Sequence, residues 1–211
     1  MSKFFRAASL VVLALGLTAM SAQAQQKTMG LIAGVDFSTL TGSDVNSDFG
    51  NVSSKTGFMG GLFVAVPLGN AGFAFEPELL YANKGGKYSF STTSGTLSLN
   101  YFSIPLMFRW NQKTTGGFYL LAGPQISFNV GCHDNYTDSE TSTSFSQSCS
   151  DAGVSANTVV TGTFGAGFGK GKASLEGRYN WDWGNALKID ATNTSLNVHN
   201  SVWSILLRFT K

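Results

Sequence analysis

Between Gly72 and Asn83 the chain reads Gly-Phe-Ala-Phe-Glu-Pro-Glu-Leu-Leu-Tyr-Ala-Asn, and that alternation leaves few folds open. Phe73, Phe75, Pro77, Leu79 and Tyr81 share one parity, and Ala74, Glu76, Glu78 and Leu80 share the other. In a strand, parity is a face of the sheet. One face is therefore broad and apolar without a break, while the other sets two carboxylates among small or apolar neighbours. A soluble sandwich needs the reverse, because there the apolar face is the enclosed one. A strand of a membrane barrel has this order, with an outer face in lipid and a polar lumen.

The same test finds further strands. In Met29 to Ser38, Leu31, Ala33, Val35 and Phe37 alternate with Ile32, Gly34, Asp36 and Ser38. Lys55 to Leu68 is apolar on both parities, so its faces stay open. A strand from about Tyr101 opposes Phe102, Ile104, Leu106, Phe108 and Trp110 to Tyr101, Ser103, Pro105, Met107 and Arg109; Pro105 lacks a donor, which predicts a bulge or irregular register there. Phe118 to Asn129, Asn157 to Gly169, Lys172 to Trp183 and His199 to Thr210 alternate likewise. Thr39 to Ser54, Gly131 to Ala156 and Gly184 to Val198 are polar and without period, and read as loops. The tight turns near Asn70, Lys113 and Lys170 fall at one end, together with both termini. These strands predict an all-β fold: an eight-stranded antiparallel up-and-down transmembrane β-barrel with short periplasmic turns and long external loops.

Export is written at the start of the chain. Lys3 and Arg6 precede an apolar run, Ala7 to Leu17, and Ala22-Gln23-Ala24 is a small-x-small site, so residues 1–24 read as a cleaved signal peptide and 25–211 as the barrel domain. No Cys follows the cleavage site, so a lipoprotein anchor is not indicated. Removing Lys3 and Arg6 takes the 14 basic residues to 12, equal to the 12 acidic ones. A neutral chain has no electrostatic case for nucleic acid. Cys132 and Cys149 sit in one polar segment of an exported chain, where a disulfide is the expected state, worth about 3 kcal/mol from chain entropy.

Several blocks are similar to those of a known family. Gly34-Val35-Asp36-Phe37-Ser38, Glu76-Pro77-Glu78-Leu79-Leu80-Tyr81 followed by Lys84-Gly85, Tyr101 through Pro105-Leu106, Ala122-Gly123-Pro124 and Arg178-Tyr179-Asn180 resemble the PorT-like outer-membrane β-barrel proteins of Bacteroidetes-type bacteria. The resemblance spans Gly30 to Phe209. It implies a small eight-stranded barrel and no reaction; some relatives serve secretion or gliding machinery.

Parity assigns Asp36, Glu76, Glu78, Arg109, Gln125, Glu176, Arg178 and Arg208 to the lumen. An eight-stranded barrel is only wide enough for side chains to fill it, so these charges are expected to pair as a plug. Conduction of protons or ions would compete for the same volume. Same-face carboxylates such as Glu76 and Glu78 can do acid and base work, but opposite arginines they form a structural ladder. A hydrolase would want a histidine near serine, and the chain has His133 and His199. Gly165 to Lys170 lacks the phosphate-loop spacing. Asp134, Asp138, Glu140 and Asp151 offer oxygen ligands, though at no known calcium-loop spacing. Tyr81, Trp110, Tyr179, Trp181, Trp183 and Trp203 fall near strand ends and read as interfacial girdles.

The expected function is that of a non-enzymatic scaffold without cofactor or metal, embedded in the outer-membrane bilayer, its external loops open to a protein or envelope partner. A small passive channel and a component of an envelope secretion machinery are the alternatives. A soluble lipocalin-like barrel shares the strand count, with its apolar face turned inward.

Overall fold

The structure, a computed structural model, describes residues 27–112, 116–189 and 191–211. The targeting segment and the turn residue Lys113 lie outside the described residues. In chain order the elements are β1 (Thr28–Thr41), α1 (Val45–Phe49), β2 (Asn51–Ser53), β3 (Lys55–Leu68), β4 (Phe73–Phe90), β5 (Thr93–Asn111) and β6 (Gly116–Asp138). Then follow β7 (Thr143–Ser148), β8 (Val154–Ala156), β9 (Val159–Lys170), β10 (Ala173–Asp182), β11 (Leu187–Ile189), β12 (Thr194–Leu196) and β13 (His199–Thr210).

Eight of these strands close a ring in the order β1, β13, β10, β9, β6, β5, β4, β3, every pairing antiparallel. β1 and β13 make the closing seam, from Gly30 opposite Thr210 to Thr41 opposite His199. The parity of the sequence becomes the wall of this ring. Leu79 is 51% exposed and Phe73 49%, whereas Glu76 and Glu78 are buried. In β3, whose sequence left the faces open, Phe58 and Leu62 point out while Met59 and Phe63 are buried. The apolar exterior excludes the lipocalin arrangement.

Pro105 does not disturb the register. Ile104, Pro105 and Phe108 keep the same offset against β6, because one missing donor removes a ladder bond without changing the residue count between strands. The irregularity lies instead where Tyr101 faces Asn129 and Asn100 faces Gly131, leaving Val130 as the extra residue of a bulge. This bulge swaps the faces of β6. Below it Tyr119, Leu121, Gln125 and Ser127 point inward; above it the even-numbered Cys132, Asp134 and Tyr136 share the face of Leu97 and Leu99.

Strand lengths divide the molecule into two storeys. β10 has 10 residues and β9 and β13 have 12, close to the roughly 9–11 that cross a membrane. β4, β5 and β6 have 18, 19 and 23, so they continue beyond it. With β2 on the flank of β4 and β7 on the flank of β6, they form a five-stranded external sheet. The stretch Gly131 to Ala156, read as a loop, is mostly hairpin.

The three segments read as loops share an apolar core. Leu40, Val45, Leu97, Leu99, Tyr101, Cys149, Val159, Ala186, Leu187 and Val198 are buried together over the external mouth. β8, β11 and β12 form a small second sheet beside it. Apart from Leu97, Leu99 and Tyr101, which extend the alternation of β5 upward, each contributing segment holds one to three of these residues at no regular spacing, which is why no period marked them.

The disulfide Cys132–Cys149 links β6 to the turn after β7, with Cα atoms 5.4 Å apart. Because it ties the hairpin to the cap and not to the ring, we expect the Cys132→Ser/Cys149→Ser chain to lose stability locally. On the chain-entropy scale the loss is about 3 kcal/mol for a loop of this size. Hydrogen exchange should speed up in β7 and β8 while ring amides in β10 and β13 keep their protection.

Candidate functional site: a charged interior beneath an external sheet

The interior is organised by two guanidinium groups. On β10, Arg178 donates from Nη1 and Nη2 to the two oxygens of Glu78 on β4, at 2.6 and 2.7 Å, and from Nε to Glu176. On β13, Arg208 donates from Nη1 to Glu176 at 2.7 Å and from Nη2 to Glu76. Tyr119 donates its hydroxyl to the same Glu176 at 2.9 Å. Arg109 reaches Glu76 at 3.4 Å, donates to Asn111 at 2.8 Å and lies 3.7 Å over the Tyr119 ring. Three carboxylates thus face three guanidinium groups, and the network is neutral. Except for Arg109, all its side chains are fully buried. Charges so enclosed are tolerable only when paired and hydrogen-bonded, which this arrangement supplies.

Glycines on β9 make room for it. A Cβ on Gly167 would come within 2.2 Å of the Tyr119 ring, and one on Gly165 within 3.0 Å of Arg178 Cγ. That clearance is the structural use of the Gly-rich run ending at Lys170.

Asp36 and Gln125 stand apart from the network. Asp36 is fully buried on β1 and makes no ion pair among the described residues. Gln125 donates to Ser127 at 2.9 Å, which lies 2.8 Å from Ser103. Parity reasoning also left out a second polar tier. Lys84 lies 3.7 Å from Asp182, whose oxygens accept from Thr161 at 2.6 Å and Asn200 at 2.8 Å. Lys84 has the parity of Glu76 and Glu78, and Asp182 that of Glu176 and Arg178, so carrying the alternation a few residues further would have included both. Above this tier sits the apolar cap.

The aromatics occupy both ends of the wall. Tyr81 packs between Phe58 and Phe102, each at 5.6 Å; Tyr179 packs on Trp203 at 4.7 Å, and Trp181 on Trp183 at 6.0 Å. These lie toward the external end. Trp110, opposite Phe73, lies at the other.

In the external sheet Tyr88 donates its hydroxyl to both oxygens of Asp134, at 3.0 and 2.9 Å. Asp138 caps the hairpin turn by accepting from the amides of Glu140 and Thr141. Half of the acidic residues considered for calcium are therefore engaged within the protein. His199 contacts the Gly184 carbonyl and Asn197, and His133 lies opposite Ser148.

Burial raises the Asp134 carboxyl above its usual value of 3.8, an effect opposed in part by the Tyr88 hydroxyl; Tyr88 is raised as well, mainly by burial. A raised acid favours the protonated fold. Below about pH 3.8 both folded and unfolded chains hold the proton and nothing is lost; as pH climbs past that value the unfolded chain ionises first and stability falls. We therefore expect Asp134→Asn to gain on the wild type as pH rises from 3 to 7, read from thermal unfolding of both proteins across that range. A pH-independent difference would contradict it.

A family model described as an outer membrane protein beta-barrel domain matches residues 22–186. The chain belongs to that family. Its members are integral to the outer membrane, and the ring with its apolar exterior is built for that bilayer. Among solved structures, Neisserial surface protein A is similar to it over 88% of this chain and 99% of that one, at 12% identity and a TM-score of 0.51. The attachment invasion locus protein Ail of Yersinia pestis covers 89% and 100% at 14% identity and 0.49, and OprG of Pseudomonas aeruginosa 88% and 94% at 12% and 0.39. No curated protein matches the sequence. The resemblance to the Neisserial structure bears on the fold alone, an eight-stranded outer-membrane barrel.

Proposed function

We propose that this outer-membrane barrel is a non-enzymatic scaffold: its interior is a structural plug and its external sheet is the surface that works. The observation carrying this is the pairing of Glu76, Glu78, Glu176, Arg109, Arg178 and Arg208 across the lumen under an apolar cap. Guanidinium groups bonded to facing walls occupy the volume an ion path would need, and the cap offers ions no polar route from outside. The order of sequence blocks supports a place among the PorT-like barrels, and residues 1–24 act as the export signal removed before insertion.

Planar-bilayer recording of the refolded, full-length mature chain tests the plug. No discrete conductance is expected, and none should be gained with Glu140→Gln, which alters charge only at the hairpin turn. Stable single-channel steps from the wild type would overturn the scaffold reading in favour of a channel.

A further inference from the structure

The ring has no free edge, yet the external sheet has two. Open edges offer unpaired backbone groups to any passing strand, and exposed ones are normally blunted by shortness, charge, proline or a bulge. β2 is blunted by being three residues long. β7 is not: Thr143-Ser144-Phe145-Ser146-Gln147-Ser148 carries no charge and no proline, and its register with β6 is unbroken. Among the described residues it pairs with β6 alone, and Thr143 through Ser146 are exposed. Phe145 stacks on Tyr136 at 5.2 Å, which stiffens the hairpin that presents this edge.

The hairpin segment itself carries a single sign, the nearest base along the sheets being Lys188 on β11, opposite Ser155 of β8. Between Asn129 and Ala156 there are Asp134, Asp138, Glu140 and Asp151 and no Lys or Arg. Glu140 lies in the turn before β7 and Asp151 just beyond its end, so acid brackets an uncharged strand.

We infer that β7 is a docking edge for an extended segment of another protein, which joins the external sheet as a further strand and sets basic residues against Glu140 and Asp151. Main-chain hydrogen bonds supply the affinity in this mode of recognition, and the flanking charges supply register and selectivity. A second copy fits poorly. Two copies in one membrane share their upward direction, so their β7 strands run parallel and bring the same acidic turns side by side, where like charges repel. The inference rests on the scaffold reading, but its readout is separate: conductance tests the lumen, and binding at β7 tests the edge.

The test uses the full-length mature chain in lipid nanodiscs and a labelled synthetic peptide with an alternating Thr/Val core between paired lysines. Saturable binding is expected, with slowed hydrogen exchange at the amides of Thr143–Ser148. Binding should disappear when the peptide core is N-methylated, and it should weaken about tenfold at low salt for Glu140→Gln/Asp151→Asn. Absence of saturable binding, equal binding of the methylated peptide, or protection confined to other strands would overturn the inference. Protection of β7 that grows with protein density and needs no peptide would assign the edge to a second copy and overturn it too.

Discussion

Replacing Arg178 with leucine is expected to destabilise the barrel by about 3–5 kcal/mol, the range for removing one partner of a buried ion pair. Arg178 makes both hydrogen bonds to Glu78 and one to Glu176, and none of these side chains reaches water. Among the described residues its loss leaves Glu78 with only Arg208 Nη1 as an ion-pair partner, 3.8 Å away, while Glu176 keeps Arg208 and Tyr119. The damage should therefore centre on Glu78. Adding Glu78→Gln to Arg178→Leu should recover part of the loss, because the stranded charge is then gone, and the two changes should fall well short of additive. Arg178→Lys should be intermediate, since an ammonium keeps the charge but cannot match both carboxylate oxygens at once. Urea titration of the barrel folded into vesicles gives all four values. If Arg178→Leu costs no more than an exposed surface change, the network does not hold the barrel together.

That network shows how far the sequence carries. The alternation in β4, β10 and β13 already put Glu76, Glu78, Glu176, Arg178 and Arg208 on one side of the wall, because a period of two survives any detail of packing. Who meets whom did not follow. The Arg178–Glu78 contact joins residues 100 apart, and it depends on barrel diameter and strand stagger, which no local pattern encodes. The external storey was hidden for a different reason. Beside Leu97 and Leu99 of β5 and Val159 of β9, its core draws Leu40, Leu187 and Val198 from stretches that are otherwise polar, where each looks like a stray apolar residue. The bulge at Val130 also defeats parity there, since it turns Cys132, Asp134 and Tyr136 onto the opposite face from the one that counting from Phe128 would assign. Pro105 carried a strong local signal and had little structural consequence; Val130 had the consequence without the signal.

Leu79→Arg probes the other side of the same strand. Leu79 faces outward, 51% exposed, opposite Leu62 on β3 and one turn of the pleat from Glu78, whose side chain points inward and is buried. It lies in the outward row running from Phe73 to Tyr81, six residues above Phe73 and two below Tyr81, so an arginine placed there must enter hydrocarbon or deform the bilayer to reach water. The expected cost is about 2–4 kcal/mol, the range for Arg near the midplane of a barrel. Two controls separate membrane burial from general damage. Gln125→Met replaces a buried lumen amide by a chain of similar volume, leaves Ser127 beside Ser103 and buries no charge, so it should cost less. Phe90→Arg, at the external tip of β4 and 53% exposed, meets water rather than lipid and should lie within about 0.5 kcal/mol of the wild type. All three can be read from urea titration in vesicles, following the fluorescence of Trp110, Trp181, Trp183 and Trp203 as the barrel leaves the membrane. Depth is what the series measures: a cost at Leu79 no larger than at Phe90 would mean that the apolar face of β4 is not in lipid, and the outward assignment of the whole wall would fall with it.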